Sequence, residues 1–150
     1  MTFYVDDGRY AVEAAAVQRI VRVVEVTPLP ETPAFVLGVI DLHGEIVPVA
    51  DLRLRFGLEA RDLRLSDQLV IARTQRWALA LLVDAVDDVI EVAAESVVAH
   101  EGILPGLQGV EGVVTTDDGL VIITDLEAIL SPREADELGR ALEVVHADER

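Results

Sequence analysis

Lysine and cysteine are both absent from the 150-residue sequence, and aromatic residues are scarce: one Trp, two Tyr and three Phe. Without cysteine there are no disulfides, thiolate zinc sites or cysteine nucleophiles, which accords with a reducing compartment. Without lysine there is no Schiff-base chemistry and no lysine-bearing phosphate loop, and all 12 basic residues are arginine. Long apolar runs are missing too. Phe35–Ile40 and Trp77–Val83 fall far short of the roughly 18 residues a membrane helix needs, and no signal-peptide pattern is read. The expectation is a cytoplasmic chain with no direct membrane insertion. Basic charge is outweighed as well: 28 acidic residues leave a formal charge of −16, which repels phosphate backbones and anionic surfaces and argues against nucleic acid as a partner.

What is present is aliphatic. Half the residues are hydrophobic, so the core must be built from Val, Leu, Ile and Ala, and the β-branched share favours strands. The length suits one ordinary domain or two small interlocked units. β-branched runs alternate with the turn signals Asp7-Gly8, His43-Gly44 and Asp118-Gly119. The first turn predicts a hairpin of Thr2–Val5 with Arg9–Val12. The Ala-rich stretch Glu13–Gln18 predicts a short helix ahead of a strand at Ile20–Val26. Thr32-Pro33 reads as a cap and first turn, with Gly38 ending a second short helix. Ile46–Leu52 reads as extended, with Pro48 confined to an edge or bulge. Ser131-Pro132-Arg133-Glu134 is a capping box opening an amphipathic helix at about 132–146, with Ala135, Leu138, Leu142 and Val145 on one face and a frayed tail beyond His146.

The chain also resembles itself. At an offset of 66, Val17, Ile20, Val23, Val24, Glu25 and Val26 fall on Val83, Val86, Val89, Ile90, Glu91 and Val92. At an offset of 74, Gly38, Val39, Ile40, Asp51 and Leu52 fall on Gly112, Val113, Val114, Asp125 and Leu126. The difference predicts an eight-residue insertion within Ala99–Gly109 and two supersecondary halves, about 3–60 and 67–130, within a single 1–150 domain.

Catalytic constellations are not found. His43, His100 and His146 share no metal-ligand spacing, and none of Ser66, Ser96 and Ser131 lies in a nucleophile elbow. The pairs Asp6-Asp7, Asp87-Asp88 and Asp117-Asp118 are read as turn residues that satisfy backbone donors, and Asp51 and Asp125 as caps at strand ends. The reading is therefore no enzyme, no metal and no cofactor, but a β scaffold whose surplus Val and Leu form interfaces.

The stretch from Thr32 to Arg53, TPAFVLGVIDLHGEIVPVADLR, closely resembles the signature segment of the CheW family, and the agreement extends over nearly the whole chain. The resemblance implies an all-β fold of two packed five-stranded SH3-like barrels with short helices and a C-terminal helix, an arrangement that leaves room for strands to be exchanged between the halves. It further implies a non-enzymatic adaptor in chemosensory signal transduction. Such an adaptor joins a methyl-accepting chemoreceptor to the regulatory domain of a CheA-type histidine kinase, without a cofactor. Carried over residue by residue, receptor contacts would fall on Val17, Ile20, Gly38, Leu42, His43 and Val86. Kinase contacts would fall on Leu69, Val70, Ile71, Ala72, Gln75 and Arg76. One departure stands out: the family usually has Arg where this chain has His43, and imidazole cannot replace an always-charged five-donor fork. That departure motivates the alternative of a divergent relative that binds one partner only and inhibits or sequesters it.

Overall fold

The computed structural model describes residues 1–99 and 109–148. Eleven strands form two sheets. β1 (Thr2–Val5) and β2 (Gly8–Ala11) make the opening hairpin, followed by a 3-10 turn at Ala14–Ala16 and β3 (Val17–Arg22). β4 (Val36–Leu42) and β5 (Glu45–Asp51) lead into α1 (Leu52–Arg55). After a loop come β6 (Gln68–Arg73), β7 (Ala78–Val83) and β8 (Ala85–Val86), then a 3-10 turn at Ala94–Ser96 and β9 (Val98–Ala99). β10 (Val110–Thr116), β11 (Gly119–Thr124), a 3-10 turn at Leu126–Ala128 and α2 (Pro132–Asp148) complete the chain.

One sheet runs β3-β6-β7-β5-β4, the other β8-β1-β2-β11-β10-β9. Their connectivity is the same: an edge strand, a hairpin, a parallel step and a second hairpin, with β5 parallel to β7 in one and β11 parallel to β2 in the other. The opening hairpin lies in the sheet made otherwise of residues 85–124, while the β6–β7 hairpin lies in the sheet that holds β3, β4 and β5. Glycines mark the correspondence. Gly38 and Gly112 each sit at a register shift, opposite Val49 and Ile123 respectively, and each is pressed against a carbonyl. An ideal Cβ would lie 2.1 Å from the Thr27 oxygen at Gly38 and 2.5 Å from the Val98 oxygen at Gly112.

The all-β architecture with a C-terminal helix is therefore observed, but the barrels are not closed. In the first sheet, β3 and β4 do not pair along their length; a lone Thr27–Val39 bridge joins the chain after β3 to β4. Pro28 and Pro30 follow at once, and without N–H groups they cannot extend that bridge into a ladder. A second correction concerns the segment 33–38. Instead of a short helix it makes a single turn, with the Val36 N–H donating to the Pro33 oxygen at 2.9 Å, and then enters β4. The Thr32 hydroxyl donates to the Val36 carbonyl rather than accepting a capping bond. Gly38 is thus a bulge glycine with φ of 152°, not a helix end. The strand expected at Ile20–Val26 is set earlier, at Val17–Arg22. The predicted insertion falls on 100–108, outside the described residues, as does His100.

Pro48 illustrates how the sheet tolerates proline. β5 is an inner strand, yet its parallel pairing with β7 begins only at Val49. Pro48 faces Val39, whose own N–H and carbonyl both bond Thr27, so no ladder bond is lost.

The main core lies between the sheets and under α2. It includes Phe3, Val5, Tyr10, Phe35, Leu52, Phe56, Val70, Leu81, Ile129 and Leu138, and Tyr10 stacks on Phe56 at 4.8 Å. Ile40, Val47, Val49, Leu69, Ile71 and Leu82 fill the curl of the first sheet, whereas Ala11, Val114 and Val121 make only a small cluster in the second. α2 starts as its capping box dictates: the Ser131 hydroxyl accepts from the Glu134 N–H at 3.2 Å and the Glu134 carboxylate accepts from the Ser131 N–H at 2.9 Å. It runs to Asp148, two residues past His146.

A groove between the two sheets

β3 and β8 are end strands of different sheets. The chain crosses from one sheet to the other at Asp84, between β7 and β8, and the Gln68 side-chain oxygen on β6 accepts the Val86 N–H on β8 at 2.8 Å. Gln68 is itself in register with Arg22 of β3. Val17 and Val86 lie half-buried against the main core, and Ile20 is 37% exposed. Val17 and Ile20 thus stand on the end strand of one sheet and Val86 on an end strand of the other, with Val86 bonded to Gln68 on the neighbour of β3.

The other residues singled out in the sequence lie elsewhere. Gly38 is buried in its bulge and offers no side chain. Leu42 packs against the first sheet's core, while His43 is exposed at the β4–β5 turn with φ of 53°. Leu69, Val70, Ile71 and Ala72 are buried on β6, an inner strand, and present no side-chain surface to a partner. Gln75 and Arg76 are exposed on the β6–β7 turn. The Gln75 N–H bonds the Glu127 carboxylate at 3.1 Å, and Arg76 lies over the Trp77 ring at 4.5 Å. His43, Arg76 and Trp77 line an open cleft of about 800 Å³ together with Pro48, Gly139 and Leu142 of α2. Residues assigned to different partners thus share one surface.

Asp51 and Asp125 occupy equivalent places as strand-end caps. Each accepts the N–H two residues on, from Arg53 at 2.9 Å and Glu127 at 3.0 Å. The N–H of each also donates 2.8 Å to a carbonyl, that of Phe35 and of Gly109.

Sequence reasoning missed an ionic cluster where the sheets meet. Asp84 accepts from Arg53, from Arg61 at 2.7 Å and from the Asp6 N–H at 2.8 Å. Arg53 also pairs with Asp6 at 3.0 Å, and Arg61 grips buried Asp67 with two nitrogens, at 2.7 and 3.0 Å. Arg9 joins Asp87 at 3.0 Å. Burial alone would raise Asp84 and Asp67, but donors from Arg53, the Asp6 N–H and Arg61 hold Asp84 below its ordinary value, and donors from Arg61 and the Arg64 N–H do the same for Asp67. Glu134 is held down likewise, against its burial, by Ser131 and Arg55. Asp51 goes the other way, raised by burial. Asp6 and Asp87 were legible only as turn residues, and Asp67 and Asp84 carried no signal. Their joint role needed the knowledge that 6, 53, 61 and 84 converge.

Among the described residues no cluster of His, Cys, Asp or Glu could hold a metal, and no helix is long and apolar enough to cross a membrane. Ser131 is committed to its cap.

Comparison with known proteins agrees. The probable chemotaxis protein CheW of Rhizobium etli is 30% identical over 138 residues, covering 91% of this chain and 89% of that protein. The chemotaxis protein CheW of Treponema pallidum is 29% identical over 144 residues, 92% and 85% of the two chains. The crystal structure of the scaffolding protein TtCheW from Thermoanaerobacter tengcongensis superposes with a TM-score of 0.79 at 31% identity, covering 89% of this chain and 92% of that one. With the family model of the CheW-like domain matching residues 1–134, the chain belongs to the CheW-like family.

Proposed function

We propose that this chain is a cytoplasmic, non-enzymatic adaptor that couples a methyl-accepting chemoreceptor to the regulatory domain of a CheA-type histidine kinase. The observation that supports the reading is an apolar residue left exposed at a sheet end: Ile20 is 37% exposed on β3, with half-buried Val17 on the same strand and half-buried Val86 on an end strand of the other sheet. The receptor contact is assigned to a groove between these two end strands. His43 and Leu42 lie at the hairpin end of the same sheet, and Gly38 shapes β4 from within. The kinase contact is assigned to Gln75 and Arg76 on the β6–β7 turn, with Leu69–Ala72 supporting the strand beneath. Relatives spanning some nine-tenths of the chain are named as chemotaxis and scaffolding proteins, which does not favour the one-partner inhibitor.

The test is reconstitution of kinase autophosphorylation from receptor, kinase and this protein. Activation requiring all three supports the adaptor, and binding of neither partner overturns it. A kinase regulatory domain should bind with micromolar to sub-micromolar affinity, about 8 kcal/mol, across an interface of ordinary size. Affinity that collapsed between about 50 and 500 mM salt would show that charge rather than apolar burial dominates that contact.

A further inference from the structure

The arginines of this acidic chain are mostly occupied. Arg9, Arg53, Arg55 and Arg61 are drawn into ion pairs, and even the exposed Arg73 and Arg133 find an acid. Arg19, Arg22, Arg64 and Arg140 have no ion pair among the described residues, and of these Arg19 and Arg22 lie close together, exposed on β3. Nothing in the fold uses them.

Their position gives them a use. β3 is an end strand whose one sheet neighbour among the described residues is β6. By strand alternation Ile20 and Arg22 share a face and Arg19 stands on the other, so a segment lying along the edge meets one apolar residue between two cations. Across the groove the sign reverses. Asp87 and Asp88 follow Val86, with Asp87 already engaged by Arg9. On a protein of net charge −16, two unneutralised cations flanking an exposed isoleucine locally oppose the overall repulsion of acidic partners.

We infer that Arg19 and Arg22 are specificity residues of the groove, selecting a receptor segment that carries acidic side chains beside its apolar stripe and orienting the acidic side towards β3. The inference rests on the assignment of the groove to the receptor and adds the chemistry of the partner.

Charge reversal tests it. Arg19→Glu with Arg22→Glu changes the net charge by −4, and Arg140→Glu with Arg133→Glu on α2 makes the same change away from the groove. Affinity is measured by calorimetry for the cognate receptor cytoplasmic domain and for the kinase regulatory domain, at about 50 and 500 mM salt. The groove variant is expected to lose about tenfold or more in receptor affinity at low salt and to lose the salt dependence, with kinase affinity unchanged. The α2 variant is expected to stay within about twofold of wild type, because screening confines the effect to nearby charges. Equal receptor binding by wild type and groove variant, or equal loss in both variants, overturns the inference while leaving the adaptor reading in place. A wild-type protein that binds no receptor overturns that reading itself. Sedimentation of the protein alone separates the remaining occupant: a groove variant altered only in self-association would assign the groove to a second copy and overturn the inference.

Discussion

Gln68 and Val86 belong to different sheets, and a single side-chain-to-backbone bond of 2.8 Å joins them. Val86 is half-buried at the end of its sheet, so its N–H depends on Gln68 as acceptor. Gln68→Met keeps the volume and removes the acceptor, at a cost of about 1–2 kcal/mol by denaturant unfolding. Gln68→Glu restores an acceptor and should recover receptor affinity that Gln68→Met loses. Equal affinities in the two variants would show that the bond does not shape the groove.

The ionic cluster fixes the direction of acid sensitivity. Asp84, Asp67 and Glu134 have folded values below their ordinary 3.8, 3.8 and 4.5, so the stability they add is complete above the unfolded values and is lost as pH falls through the folded ones. Asp51, raised above 3.8, contributes with opposite sign, favouring the fold at low pH and losing that contribution as pH rises through its folded value. Three groups against one predict a lower Tm at pH 3.5 than at pH 6. In Asp84→Asn the whole Tm curve should drop, because Arg53 loses a partner, and the pH difference should shrink. An unchanged difference, measured by calorimetry, would remove Asp84 from the account.

Three glycines should rank by the space around them. Gly38→Ala sets a Cβ 2.1 Å from a backbone oxygen at φ of 152°, and should cost more than about 3 kcal/mol or prevent folding. Gly112→Ala meets a carbonyl at 2.5 Å without the left-handed backbone, and should cost roughly 2 kcal/mol. Gly44→Ala has φ of 89° but nothing within 4 Å, leaving the conformational cost of about 1 kcal/mol. Urea midpoints give the order directly.

His43 stands at φ of 53°, where a β-branched residue is strained and most others pay about 1 kcal/mol. His43→Ala should fold and support kinase activation within about threefold of wild type, and His43→Arg should do no harm. An autophosphorylation assay in which His43→Arg activates far more strongly than wild type would show that the histidine weakens coupling.

Much of this molecule was readable without coordinates. The hairpin at Thr2–Val5, the caps at Asp51, Asp125 and Ser131, and the equivalence of Gly38 with Gly112 follow from short-range chemistry: a turn, a side-chain acceptor or a missing Cβ. What failed did so where distant residues decide. Thr32-Pro33 has the local grammar of a helix start, yet the carbonyl of Thr27 claims the space beside Gly38 and draws the segment into β4. Barrel closure depended on whether the chain after β3 could donate to β4, and Pro28 stops it. Leu69–Ala72 were singled out only through the family resemblance, and their burial on both faces of β6 depends on strands β3 and β7 on either side. Arg53, Asp84 and Arg61 are separated by 23 residues or more along the chain at their farthest pairs, and no spacing rule joins them.

The placement of the opening hairpin has a consequence for how the chain comes to exist. A ribosome releases β1 and β2 long before β8 and β11, the strands they pair with outside the hairpin, and it releases β5 before its parallel neighbour β7. Neither sheet can be completed from the first half of the message, so both must wait for the second. The early-made hairpin therefore spends part of synthesis with open edges on both sides, dependent on the acidic charge of the nascent chain to discourage it from pairing with a neighbour's.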